Sequence, residues 1–394
     1  MKQKRDEAQE QIADLLRTAR SSLGLSMAFL SRLDGTTQHL EVVESSIPFV
    51  MKDGTTQVQE TSFCQAILDK RLPEVIPDVR KYPEAMSLPA AKFPRIRSFV
   101  SVPVVLSDGS LYGTFCAAGL TADRELQERD RALMNVLAKA AALIVEPGMQ
   151  EAERRLEIET RVLPVIEAGG PVIHLQPIVD LATGKRVGFE ALSRFPREWN
   201  LSPDVVFAQA HSVGVGAALE LLAIGRAAEA LDSVTGYVSM NLSPAVLLEP
   251  TSVAFLAQLP LDRVVLELSE HDPVDDYARL EEVIAPLRMA GMRLSIDDVG
   301  AGFSSLRHIV QTSPDVIKLD RSIVAGVAGD RILMTLVRLL VQLAADCGSV
   351  SVAEGIEDEA DAATLRDLGV NYGQGWYFGR PAPAADLAEI APIP

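Results

Sequence analysis

Cysteine is scarce in this chain of 394 residues: only Cys64, Cys116 and Cys347 occur. Three is too few for a disulfide framework, and the number is odd, so a reducing, cytoplasmic setting is expected. Histidine is scarce too. His174, His211, His271 and His308 show no metal-ligand spacing. A haem site before residue 151 would have to rest on His39, which follows a turn-like Thr36-Thr37-Gln38 where exposure is expected. No run of about 18 uncharged apolar residues occurs, so no membrane insertion is expected. The first residues, MKQKRDEAQEQ, are charged and helix-prone, with no signal-peptide apolar region.

Positive charge is the other deficit. Lys and Arg number 37 against 54 Asp and Glu, a net charge of -17. Residues 1–150 hold 18 basic against 19 acidic side chains, a balance of -1, and residues 151–394 hold 19 against 35, a balance of -16. Non-specific binding of a nucleic-acid polymer needs a positive field, and the C-terminal part has the opposite. An anionic ligand there needs metal ions, or a few placed Arg and Lys, to receive it.

What is present is an apolar content of 48%, enough to bury real cores, over a length that suits two or three domains. Residues 1–22 read as an amphipathic helix. SMAFLSRLD and HLEVVESS read as paired strands around Asp34-Gly35, and SFCQAILDKR as a short helix capped by Ser62. SFVSVPVVL and SLYGTFCAAGL read as a second hairpin around Ser107-Asp108-Gly109. A helix is expected from about Asp123 to Ile144, capped by Thr121 or Asp123, then a break at Glu146-Pro147-Gly148. Helical character resumes from Gln150 to Ala168 as a transmission element or a spacer. This order describes a small α+β sensor domain. SFCQAILDKRLPEVIPDVR followed by RIRSFVSVPVVLSDGSLYGTFCAAG is similar to the GAF family, over about 1–146. The resemblance implies a sensor that answers to a small molecule, a redox change or light. Cys64 is a candidate bilin or redox site, with buried packing the ordinary alternative.

From residue 171 the pattern changes. VIHLQPIVD, VGFEALSRF, YVSMNLS, VVLELSE, RLSIDDVG, DVIKLD, VSVAEGI and NYGQGWYFG recur between mostly helical stretches. Eight such runs argue for an α/β (β/α)8 TIM-like barrel. Only the turn LATGK separates the first two, so the first strand is expected to be antiparallel. Active sites of such barrels gather at the C-terminal strand ends. Those ends carry Glu190, Asn241, Glu267 with Glu270, Asp297 with Asp298, Lys318 with Asp320, Glu354 with Glu357, and Gln374. Helix caps and salt bridges explain one such residue; they explain a whole rim poorly. Oxygen donors without Cys or His favour Mg²⁺ or Mn²⁺. Asp297 and Asp298 repel each other unless something positive compensates them, and two close divalent ions serve phosphodiester hydrolysis.

Here a second resemblance enters. FEALSRF, NLSP, LELSE, DDVGAGFSSL, IKLD, AEGIE and GQGWYFGRP follow in order, after an opening QPIVDLATGK. Together they resemble the EAL family, the phosphodiesterases of cyclic di-GMP, over about 160–390. The resemblance implies hydrolysis to linear 5'-pGpG with two Mg²⁺ or Mn²⁺ ions per site; Ca²⁺, with its longer bonds and larger ligand number, is expected to inhibit. Glu190, Asn241, Glu267 and Asp297 match ligands of one metal, and Asp298 a ligand of the second. Lys318 and Glu354 match the groups around the attacking water, with the general base left open between them. Gln176, Arg194 and Gln374 match substrate contacts, and Glu270 and Glu357 match residues supporting the site. Val299, Ala301 and Phe303 depart from the commonest family residues, but none removes a ligand. No GG[DE]EF-like segment of a cyclase occurs. The organisation expected is a GAF sensor at 1–146, a helical linker at 147–168 and an EAL domain at 169–394, as a homodimer. A non-catalytic cyclic di-GMP receptor is the alternative, and a phosphoesterase of another substrate a third reading. Trp376 and Tyr377 are expected to pack near the last strand.

Overall fold

The computed structural model describes residues 2–47, 51–269, 274, 276–300 and 305–387, with 2–5 and 305–306 by backbone alone. The chain forms two compact units, Met1–Leu156 and Glu157–Pro394.

The first unit is built on an antiparallel sheet of β1 (Met27–Leu33), β2 (Thr37–Ser45), β3 (Thr56–Val58), β4 (Val75–Ile76), β5 (Ser98–Val105) and β6 (Leu111–Gly119). The strand order is β3-β2-β1-β6-β5-β4. Strand alternation gives the sheet two apolar faces. Ala28, Leu30, Val100 and Val102 pack with Ile12 and Leu16 of helix Lys2–Leu23 and with Met134 and Ala141 of the helix that starts at Glu128. Phe29, Phe99 and Cys116 pack with Phe63, Cys64 and Ile67 of helix Phe63–Leu68. Both expected hairpins form, and Ser62 caps that helix by accepting the Gln65 N–H at 3.0 Å.

Two local expectations are corrected. The long helix begins at Glu128 rather than Asp123, whose carboxylate instead accepts the Glu125 N–H in a turn. The helix is also unbroken at Glu146-Pro147-Gly148 and continues to Glu167. Proline withholds the N–H that would meet the Leu143 carbonyl. Leu143, Pro147 and Gly148 are all exposed, so water can satisfy that carbonyl. By length and composition, this helix is the one among the described residues that could cross a membrane. Buried core helices pass the same test.

The second unit is a closed eight-stranded barrel. Its strands are β7 (Val172–Asp180), β8 (Arg186–Arg194), β9 (Tyr237–Asn241), β10 (Val264–Ser269), β11 (Arg293–Val299), β12 (Val316–Leu319), β13 (Val350–Ala353) and β14 (Tyr372–Gln374). β7 is antiparallel to both β8 and β14, and every other pairing is parallel. Ile178, Tyr237, Val265, Val316 and Val352 form an apolar plug. Side chains two apart on a strand share a face. One such step leads from the plug to Ser239, Glu267, Lys318 and Glu354 and, on the reversed β7, to Gln176. The same periodicity therefore fills the barrel floor and places polar groups above it.

Candidate active site

Lys318, on β12 and 1% exposed, has its ammonium among four carboxylates. Nζ lies 2.6 Å from Glu354 Oε1, 3.0 Å from Glu267 Oε1, 3.1 Å from Asp297 Oδ1 and 3.3 Å from Glu190 Oε1. These are charge contacts, since no directed hydrogen bond forms. One ammonium cannot neutralise four buried anions, and the protonation preferences show the excess. Burial, helped by Glu190 and Asp297, pushes the Glu267 carboxyl up to about 8 despite Lys318. Burial also raises Asp297, and burial with the Asp297 charge raises Glu354 well above the carboxylate range. For Glu190, burial is outweighed by Lys318 and the Gln374 amide, and its pKa falls. Lys318 itself loses to burial but gains more from the four carboxylates, so it is held well above the usual lysine value.

The Asp297-Asp298 pair gets its geometry from a bulge. Ile296 pairs with Ile317 and Val299 with Leu319, so both aspartates stand opposite the single residue Lys318. An ordinary strand would send adjacent side chains to opposite faces. Here Asp298 turns into the left-handed region, at φ +59°. That conformation costs a non-glycine residue about 1–2 kcal/mol. It is supported by the Asp298 N–H, which donates to Asp297 Oδ1 at 3.0 Å.

The donor set fits two hard cations. Glu190, Glu267 and Asp297 form one group with carboxylate oxygens within 4.8 Å of one another, and Asp297, Asp298 and Glu354 form a second. Asp297 belongs to both. Glu267 Oε2 is buried with no hydrogen-bond partner, a cost of about 1–3 kcal/mol that a bound cation would remove. Asn241 sits at the exposed end of β9, in register with Glu267. Neighbouring side chains fix these carboxylates. Ser239 Oγ donates to Glu267 Oε1 at 2.5 Å. Gln374 Nε2 donates to Glu190 and, at 3.0 Å, to Gln176 Oε1. Gln176 Nε2 in turn donates to the Gly379 carbonyl at 3.1 Å.

A cleft of about 320 Å³ opens over this floor, with Arg321, Glu357 and Trp376 on its walls. Arg321 pairs with Glu357 at 2.7 Å. Asp320 points elsewhere and caps helix Arg321–Val324 through the Ser322 N–H. Arg194 does not line the cleft; its Nη1 donates to the Ser193 carbonyl at 2.9 Å. Burial lowers the Arg194 pKa, against the pull of Glu190. Glu270 lies outside the described residues, as do Ala301 to Ser304 after the bulge. Ser239 and Arg321 were not anticipated. Alternation would have found Ser239, two residues before Asn241. Trp376 and Tyr377 are 54% and 40% exposed rather than packed; Phe378, 7% exposed, takes the core position instead.

Family comparison agrees with this architecture. The EAL domain family matches residues 159–381 and the GAF domain family residues 7–145. The chain belongs to the EAL-domain family and carries a GAF domain ahead of it. It is 32% identical over 273 residues to the probable cyclic di-GMP phosphodiesterase PdeB of Escherichia coli (strain K12), covering 66% of this chain and 51% of that protein. A second E. coli protein, the probable cyclic di-GMP phosphodiesterase PdeD, is 28% identical over 228 residues, 55% of this chain and 42% of that one. The chain thus spans about half the length of these curated relatives. Among solved structures, the PaMucR phosphodiesterase in complex with c-di-GMP is 26% identical with a TM-score of 0.53, covering 59% of this chain and 99% of that one. An EAL domain protein of Listeria monocytogenes EGD-e is 25% identical with a TM-score of 0.51, covering 59% and 96%.

Proposed function

We propose that the chain hydrolyses one phosphodiester bond of cyclic di-GMP to give linear 5'-pGpG, using two Mg²⁺ or Mn²⁺ ions. The observation that carries this reading is the pair of carboxylate groups sharing Asp297 around a buried lysine. Glu190, Asn241, Glu267 and Asp297 would hold one ion; Asp297 and Asp298, with Glu354 beside them, would hold the other. Such ions polarise phosphoryl oxygens and lower the pKa of water. Gln374 and Ser239 hold Glu190 and Glu267 in place through the hydrogen bonds described above. The chain's own charges keep Lys318 an ammonium, which suits a donor that holds the attacking water. Glu354, 2.6 Å from that ammonium and in the second carboxylate group, is assigned as the proton acceptor of the two. Gln176, Gln374 and Arg194 are assigned to substrate contact, which for Arg194 requires its guanidinium to leave the Ser193 carbonyl. The test is cyclic di-GMP turnover followed by chromatography with Mn²⁺ and with chelator. Binding without product would make the chain a receptor instead.

Residues 1–146 are assigned to sensing, 147–168 to transmission and 169–394 to hydrolysis, in a cytoplasmic homodimer without membrane insertion. For the signal, one observation favours redox chemistry over a light-absorbing or other small ligand. Cys64 and Cys116 are both buried, with sulfurs 3.3 Å apart. They sit in a chain of polar groups, Gln57, Gln38, Ser31, Thr114 and Ser101, that crosses the sheet.

A further inference from the structure

Glu190 and Glu267 are tied in place by Gln374 and Ser239, but no hydrogen bond among the described residues holds the side chain of Asn241. Its aim is set by its backbone alone. Asn241 ends β9 and lies two residues beyond Ser239, so both side chains face the barrel interior. On the outer side, Met240 and Leu242 pack with Ile224 and Ala227 of helix Gly216–Glu229. Ser243 then stands at the cap position of helix Pro244–Leu247. A serine there ordinarily accepts an N–H from the turn it starts, and Ser243 does not. Its hydroxyl donates to Glu220 Oε1 at 3.0 Å, and its backbone N–H to Glu220 Oε2 at 2.8 Å. Both oxygens of one carboxylate thus grip the residue two after Asn241. Glu220 is 7% exposed, on helix Gly216–Glu229, and its basic partner is His211 on helix Pro203–Ser212. The His211 ring lies so close over Gly216 that a Cβ there would stand 2.3 Å from it, an approach that only glycine permits. A buried carboxylate is a costly way to join a helix to a loop, which apolar packing would do as well. What it adds is direction.

We infer that Glu220, braced by His211, is a positioning residue for the ion assigned to Glu190, Asn241, Glu267 and Asp297. By holding Ser243 it fixes the backbone at Asn241, and so the direction in which that amide oxygen is offered. This rests on the two-ion reading and adds to it a support from outside the barrel. Glu220 touches neither the ion nor the substrate. Loss of a group that orients a metal ligand typically costs roughly 10- to 100-fold in metal affinity.

The experiment is calorimetric titration of Mn²⁺ into the full chain without substrate. Wild type is compared with Glu220→Ala, Glu220→Gln and Ser243→Ala, each with and without Asn241→Ala. Glu220→Ala should weaken one of the two Mn²⁺ sites roughly tenfold or more. Ser243→Ala, which keeps the backbone N–H bond, should lose less. Glu220→Gln, whose amide oxygen still accepts that N–H, should recover toward wild type. With Asn241→Ala already present, Glu220→Ala should cost nothing further, because it acts through Asn241. Equal losses in both backgrounds would show a merely structural role and overturn the inference, as would unchanged Mn²⁺ affinity in Glu220→Ala. If Glu220→Ala fails to fold, Ser243→Ala decides in the same way: a loss seen only while Asn241 is present supports the inference, and no loss or an equal loss overturns it. A wild type that does not bind two Mn²⁺ ions overturns the two-ion reading, and the positioning role with it.

Discussion

Lys318 Nζ and Glu354 Oε1 stand 2.6 Å apart, the shortest of the four contacts that the buried ammonium makes. The pair joins the two adjacent strand ends at β12 and β13; the ammonium is sealed from water, while Glu354 lines the cleft. Removing one member of a buried ion pair typically costs about 3–5 kcal/mol. Lys318→Met should therefore lower the melting temperature in chelator by several degrees, and saturating Mn²⁺ should recover more of it than in wild type. Differential scanning calorimetry with and without Mn²⁺ checks this. Equal Mn²⁺ gains in both proteins would mean that the ammonium and the cations do not share the same carboxylates. Turnover in the variant should fall at least 100-fold.

Glu190→Ala removes a carboxylate from one of the two groups and unties Gln374. Hydrolysis of cyclic di-GMP should become undetectable while the fold survives, as read by circular dichroism. Full activity in this variant, or in excess chelator, would rule out the two-ion reading.

Ca²⁺ prefers longer bonds and more ligands than Mg²⁺. With Ca²⁺ as the sole divalent ion, substrate should bind but turnover should stop. Calorimetric titration beside a product assay separates the two, and undiminished product formation in Ca²⁺ would contradict the geometry.

Asp298 buys its position with a left-handed backbone. Asp298→Gly relieves that strain and one like-charge repulsion, so in chelator the variant should be more stable by about 1 kcal/mol. Its turnover should fall by two orders of magnitude or more. Asp298→Asn, which also tolerates this conformation, should lose activity and keep only the part of the gain that comes from the lost repulsion. A less stable Gly variant would show that the carboxylate supports the fold rather than the chemistry.

The Cys64 thiol is opposed by burial, but hydrogen bonds led by Cys116 bring it down to about 7. The thiolate is the attacking form, so its population rises with pH through that value. Hydrogen peroxide should convert Cys64 and Cys116 to a disulfide, the two thiols giving up two electrons and two protons as the peroxide becomes two waters. The rate should climb between pH 6 and pH 8. Peptide mass spectrometry locates the link, and peroxide should alter turnover in wild type but not in Cys64→Ser. A link that never forms, or equal peroxide effects in both proteins, would remove the redox reading of the sensor.

Eight strands and the reversed first one were legible because parallel barrel strands are apolar runs with polar ends, and LATGK is too short for a crossover. The rim carboxylates were legible for the same reason. The continuity of the helix through Pro147 was not, because proline's cost depends on whether water reaches the Leu143 carbonyl. Nor was the side to which Trp376 turns, since alternation fails once β14 ends at Gln374. The bulge that brings Asp297 and Asp298 together depends on pairing with β12, which no local pattern records. Arg321 follows an ordinary helix cap, and nothing in its neighbours marks it as a cleft wall.

The apolar plug of Ile178, Tyr237, Val265, Val316 and Val352 closes the barrel beneath the charged cluster. Traffic is therefore one-sided. On the proposed reading, water, cations and nucleotide would all enter by the mouth that Trp376 and Arg321 flank, and product would leave the same way. A spent dinucleotide would block its successor until it departed, so added pGpG should slow turnover competitively.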